Sequence, residues 1–341
     1  MKNPFVTNGY VSPEYFCDRE KETAKIVSLL TNENNIALIS PRRLGKTDLL
    51  RHCFGQPEIK EHYHTFIIDI YATSSVRDFV NVFGKAVLDE LRPKGKSVWG
   101  TFLNVLASLR SEITFDMNGQ PTWGIGLGAI TNPSATLDEI FSYLNNAGKP
   151  CLIAIDEFQQ ITKYADDPNI EAALRTHIQR CSNAHFVFSG SHRHLMGAMF
   201  TSPARPFYQS VTLINLPPIS VDKYAEFCLR HFERASKHLD TLVVTELYER
   251  FNGITSYMQK VMNILFSMTG TGEICIPSMI DTAINDLLDF SADTYDALLY
   301  QMPEKQRIVF MAIAAEGKAK AISSGDFVRK YKLQRSEEHT S

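Results

Sequence analysis

The stretch IALISPRRLGKTDLL, residues 36–50, restricts this chain more than any other. A short apolar run breaks at Ser-Pro, and Gly-Lys-Thr then opens a run of helix formers. Strand, tight turn and helix in that order are the setting of a phosphate-binding loop. In such a loop, backbone N–H groups at a helix N-terminus wrap a phosphate. Gly45 permits close backbone approach, Lys46 supplies the cation, and Thr47 supplies a hydroxyl for Mg²⁺. Ser40, Pro41, Arg42, Arg43, Leu44, Gly45, Lys46, Thr47 and Asp48 are therefore the candidate nucleotide-binding set. Ser40 stands where such loops usually carry their first glycine, and a small residue before Pro41 is expected to manage the turn. Arg42 and Arg43 are open to three roles: facing the nucleotide, facing a neighbouring subunit, or facing water.

Strand-like runs recur along the chain: NIALI (35–39), TFIIDI (65–70), CLIAID (151–156), HFVFSG (185–190) and SVTLINL (210–216). Helical patterns such as VRDFVNVFGKAVLDELR separate most of them. This alternation predicts an α/β fold with a parallel sheet covered on both faces. Residues 111–130 interrupt the pattern, and Asn118-Gly119 between alternating residues predicts an inserted hairpin or flap. Pro217-Pro218 marks a boundary, because neither residue continues a helix or a sheet interior. The expected organisation is a core at 1–218 and a helical lid at 219–302. A partial winged-helix or helix-turn-helix unit follows at 303–334, where Ser323 or Ser324 caps its second helix. The string RSEEHTS, 335–341, matches translated sequencing-adapter DNA and is expected to be a non-native tail on a truncated unit.

The 341 residues suit about two domains or slightly more, and 44% apolar with 21% charged is ordinary for a globular chain. A net charge of −3 gives no global basic field for nucleic acid. Six scattered cysteines without a C-x-x-C pair read as free thiols in a reducing compartment. No signal-peptide core is visible, and no apolar run reaches the ~18 residues a membrane span needs. A cytoplasmic protein without a membrane partner is the expectation.

A second element supports the loop. CLIAIDEFQQI is an apolar strand ending in two adjacent carboxylates, which need a cation or solvent to face. In a Walker B arrangement Asp156 holds Mg²⁺ and Glu157 polarises the attacking water. The next strand ends in Ser189, Gly190 and Ser191; Ser191 either holds the lytic water or senses the γ-phosphate, or simply forms a polar turn. His185, His192 and His194 read as loop histidines. An arginine often neutralises transition-state charge, and Arg205 ranks ahead of Arg193, Arg175 and Arg180 for that role. The catalytic candidates are thus Glu157, Lys46, Ser191 and Arg205, with Thr47 and Asp156 for the metal.

YFCDREKE (15–22), SPRRLGKTDLL (40–50), LIAIDEFQQI (152–161), VFSGSHRHLM (187–196) and FNGITSYMQ (251–259) occur in an order that resembles the archaeal-type AAA ATPases. That group is allied to the AAA+ and STAND P-loop NTPases, and the resemblance spans about residues 12–300, extending to a C-terminal winged helix. It implies a core sheet in the order 5-1-4-3-2, a helical lid, ATP and Mg²⁺ as ligands, and a place for Arg19 at the base or N-terminal edge of the site. Thr255 stands where relatives often have proline, so Tyr257 is given no lid-sensor role. The expected function is Mg²⁺-dependent ATP hydrolysis that moves the lid and C-terminal module. The alternative is a slow nucleotide-dependent switch or scaffold acting as a homo-oligomer or with a protein partner. Nucleic acid is a further candidate partner, through Lys318, Lys320, Arg329, Lys330 and Lys332.

Overall fold

The structure is a computed structural model that describes residues 2–91, 113–115, 121–123, 132–317 and 319–333. Among these, five strands form one parallel sheet: β1 (Ile36–Ile39), β2 (His64–Asp69), β5 (Cys151–Asp156), β6 (Ala184–Gly190) and β7 (Thr212–Asn215). A separate antiparallel pair, β3 (Ile113–Phe115) and β4 (Pro121–Trp123), flanks the expected hairpin turn. The turn Asn118-Gly119 and most of the expected flap lie outside the described residues. A short parallel pair, β8 (His238–Leu239) and β9 (Ile274–Cys275), completes the set.

The sheet order is β2-β5-β6-β1-β7. Counting only the core strands and reading from the β7 edge, that is 5-1-4-3-2, the order the resemblance implied. The central strands β1, β5 and β6 are buried along their whole length, so they read as continuous apolar runs. Strand alternation still divides them. Ala37, Ile39, Ile153, Ile155, Phe186 and Phe188 join the core under the helices Val76–Leu91, Pro133–Asn145 and Ile170–Arg180. Ile36, Leu38, Leu152, Ala154 and Val187 join the other, under Glu20–Thr31 and Lys46–Phe54. Asp156 shares the parity of Leu152 and Ala154, so it belongs to the face that the Lys46–Phe54 helix covers.

After β7 the chain passes Pro217-Pro218 and becomes helical: Val221–Arg234, Thr241–Phe251 and Thr255–Met268. Ser220 and Asp240 cap the first two, each side chain accepting a backbone N–H of the first turn. Asn252 ends the second in the left-handed region, followed by Gly253 at φ 68°. The N-terminus is stapled to these helices. Phe5 is fully buried among Phe227, Phe232 and Phe266, and Asn263 Nδ2 donates to the Phe5 carbonyl at 2.7 Å.

Contacts divide the chain into two compact units, Met1–Pro277 and Ser278–Ser341. The sheet and the helices 221–268 share the first unit; the helix Ile280–Gln301 lies in the second. In that second unit Val309, Ala312, Phe327 and Leu333 form a small core. There Ser324, rather than Ser323, caps the last helix, its hydroxyl accepting the Phe327 N–H at 3.2 Å.

Candidate active site

The loop after β1 leaves the sheet at Ser40, whose N–H donates to the Gly190 carbonyl at 3.3 Å. Ser40 is buried, and its hydroxyl donates to the Pro41 carbonyl at 3.0 Å. Both residues shape the turn and neither lines the cleft beyond it. Gly45 has φ 82° and caps the Lys46–Phe54 helix. A Cβ there would meet nothing within 4 Å, so the backbone angle, not crowding, calls for glycine. Arg43 takes φ 69° without that exemption.

Above the loop opens a cleft of about 630 Å³. Arg42 to Asp48 line it, together with Asp156 and Glu157. Lys46 is buried there. Burial pulls its pKa below the usual lysine range against the opposing pull of Asp156 and Glu157. Thr47 Oγ1 donates to Asp156 Oδ2. Asp156 Oδ1 accepts the Ser189 hydroxyl at 2.7 Å and the Glu157 N–H at 3.0 Å. Asp48 also lines the cleft, and burial raises its pKa despite nearby Arg51.

Glu157 sits in the left-handed region at φ 55°. Its Oε2 accepts the Ser191 hydroxyl at 2.7 Å and the Gln159 side-chain amide. Burial works to raise its pKa. The bonds from Ser191 and Gln159, with the charges of Lys46 and Arg42, outweigh burial and hold the carboxyl below the usual glutamate range. Ser191 thus touches Glu157 rather than the cleft wall. Gln159 escaped the sequence reading; its only sequence signal was its position two residues after Glu157. Its other amide atom, Oε1, is buried without a partner. It lies 2.3 Å from where a Cβ on Gly190 would be, with Met196 at 2.6 Å. Gly190→Ala is therefore expected to cost about 1–3 kcal/mol of stability through overpacking, and to reduce turnover by displacing Gln159 from Glu157. Thermal melting and turnover check this; wild-type values for both would sink it.

The remaining candidates fall in different places. Arg19 is buried at the cleft edge, yet its guanidinium is engaged by Glu22 at 2.9 Å and the Pro217 carbonyl at 2.7 Å. Arg205 stands apart from the cleft and pairs with Glu171 at 2.5 Å. Arg175, Arg180 and Arg193 do not line the cleft either. Much of the remaining lining was given no role by sequence reasoning. It is the N-terminal segment around Val6, Tyr10 and Phe16, with Tyr71, Ile219 and Gln259. Phe16 stacks on His52 with centroids 4.4 Å apart, and the Tyr10 hydroxyl meets His52 Nδ1 at 3.1 Å. Residues 5–14 carry no motif, and the segment is docked by Phe5 among Phe227, Phe232 and Phe266 as well as by these contacts to His52. At the C-terminal end, Arg329 pairs with Asp326 and Lys330 with Glu316, while Lys318 lies outside the described residues. No helix among the described residues is long and apolar enough to cross a membrane.

A parallel sheet in this order, with a Gly-Lys-Thr loop facing a strand-end Asp-Glu pair, defines a P-loop nucleoside triphosphatase. The chain belongs to the family described as "ATPase domain predominantly from Archaea", whose model matches residues 16–261. A second model, "Probable winged helix domain", matches 293–338. No curated protein sequence gives a significant match. Among solved structures, the Walker-type ATPase PABY2304 of Pyrococcus abyssi aligns over 98% of this chain and 91% of its own, at 18% identity and TM-score 0.64. The Aeropyrum pernix ORC1 protein, solved in complex with DNA, aligns over 94% and 78% at 13% identity and TM-score 0.55. The Aeropyrum pernix ORC2 protein, solved as ADPNP–ADP complexes, aligns over 97% and 82% at 13% identity and TM-score 0.54. These likenesses establish the shared fold.

Proposed function

We propose that the cleft binds ATP with Mg²⁺ and hydrolyses it, and that loss of the terminal phosphate moves the helices 221–268 against the loop. One observation carries this reading: Lys46 and Thr47 on the loop meet Asp156 and Glu157 from a distant strand in a single cleft. Lys46 would hold β- and γ-phosphate oxygens, and the N–H groups of the Lys46–Phe54 helix would face the β-phosphate. Glu157 would take the proton of the attacking water. The touching hydroxyl and carboxylate of Thr47 and Asp156 are hard oxygen donors of the kind Mg²⁺ takes together with phosphate oxygens. Magnesium, when bound, neutralises charge on those oxygens and orients them. The ADPNP–ADP complexes of the ORC2 neighbour support an adenine nucleotide. The lid is coupled to the loop because the Ser256 N–H donates to the Arg43 carbonyl at 3.2 Å.

The test is ATP turnover against Mg²⁺ concentration. Turnover should vanish in excess EDTA, and Thr47→Ala should raise the Mg²⁺ needed for half-maximal rate by roughly tenfold. Turnover that persists in EDTA would rule out the metal assignment.

A second reading, a slow switch that needs a second copy, a protein partner or DNA, has two observations in its favour. Glu157 is tethered by Ser191 and Gln159, and Arg205 is tied to Glu171. The same assay separates them: a specific rate that rises with protein concentration or added duplex favours the switch, and a constant, substantial rate of the chain alone removes it.

A further inference from the structure

The two adjacent arginines of the loop are sent in opposite directions. The left-handed turn at Arg43 aims its guanidinium at the lid, where it bonds the Tyr257 hydroxyl and lies over that ring, 4.8 Å from the centroid. Its carbonyl receives the Ser256 N–H. Arg43 is thus committed twice to the first turn of the Thr255–Met268 helix.

Arg42 faces the other way. Its guanidinium lies 5.2 Å from the centroid of the Tyr71 ring, just past the end of β2. Its Nε donates to Ser191 Oγ at 3.4 Å, and that same hydroxyl donates to Glu157. Its charge acts on both Lys46 and Glu157. Among the described residues no carboxylate forms an ion pair with it. Arg42 is therefore an exposed cation held by a ring and a hydroxyl, neither of which neutralises it. It stands on the side of the loop where Glu157 stands. A triphosphate whose β-phosphate meets the N–H groups at Gly45–Thr47 points its terminal phosphate towards the water-orienting residue.

We propose that Arg42 contacts the terminal phosphate of the bound triphosphate. It would supply from within the loop the charge that Arg205, paired with Glu171, is not placed to give in the same chain. Arg43 serves the lid and does not discriminate triphosphate from diphosphate. This rests on the reading of the cleft as an ATP site.

The test measures ATP and ADP affinity by titration calorimetry in a Glu157→Gln background, so that hydrolysis does not intrude. Adding Arg42→Ala should weaken ATP by roughly tenfold or more and ADP by less than about twofold. Arg42→Lys should recover part of the ATP loss, because charge is kept and the fork is not. Arg43→Ala should shift both nucleotides alike. Equal losses of ATP and ADP with Arg42→Ala, or no loss of ATP, overturn the proposal. Failure of the parent Glu157→Gln protein to bind either nucleotide is a separate result; it overturns the ATP-site reading, and the proposal with it.

Discussion

Glu157→Gln is expected to lower kcat for ATP by about 10²–10⁴-fold while ATP affinity stays within about threefold. The change keeps the shape of the side chain but removes its negative charge and its capacity to accept a proton. Ser191 can still donate to the remaining oxygen, so the strand end keeps its form. The pH profile is part of the same expectation. Burial opposes ionisation of Glu157, but its two hydrogen bonds and the charges of Lys46 and Arg42 win. The group stays a carboxylate where an ordinary glutamate begins to protonate, so the acid limb of kcat should lie below that range. The sign for stability is the same: a depressed carboxyl stabilises the fold above its unfolded pKa, and that contribution is lost as pH falls through the folded value. Steady-state turnover and calorimetric binding on both proteins check this. Turnover within about threefold of wild type would remove Glu157 as the base.

Lys46→Ala is expected to weaken ATP by roughly 2–5 kcal/mol, or about 30-fold to several thousand-fold. The lysine is buried, so its contact with phosphate would be made with little water to replace it. Its removal also takes away the buried cation that faces Asp156 and Glu157, leaving Arg42 alone to offset the carboxylate charge that a polyanion approaches. Melting curves give an independent measure. Wild type should gain stability with added ATP as RT ln(1 + [L]/Kd), and the variant should gain almost none at the same concentration. Equal shifts in both would show that the triphosphate binds elsewhere.

Local chemistry made much of this molecule legible before any coordinates. Short apolar runs became β1, β5 and β6, because a strand buried on both faces reads as a near-continuous apolar run; the edge strands β2 and β7 are only partly buried and read through their apolar middles. Gly45 was legible because its φ of 82° is a local demand on one residue. The cap of the last helix was legible as Ser323 or Ser324 for a similar reason, and the structure selects Ser324, whose side chain reaches its own first turn. The strand order 5-1-4-3-2 came from resemblance, since no run of residues states which strand lies beside which.

What the sequence determined by itself was therefore the inventory: a parallel α/β sheet, a phosphate loop at 40–48 and a carboxylate pair at 156–157. Tertiary structure decided the assignments. It turned Arg42 towards Tyr71 and Ser191, and Arg43 towards Tyr257. It paired Arg205 with Glu171, buried Gln159 against Glu157, and docked the N-terminal segment by sinking Phe5 among Phe227, Phe232 and Phe266. The reason is physical. A turn, a cap or a strand is set by forces within a few residues. The direction of an arginine or the placement of a terminal segment is set by partners far away in the chain, and the fold alone brings those within reach.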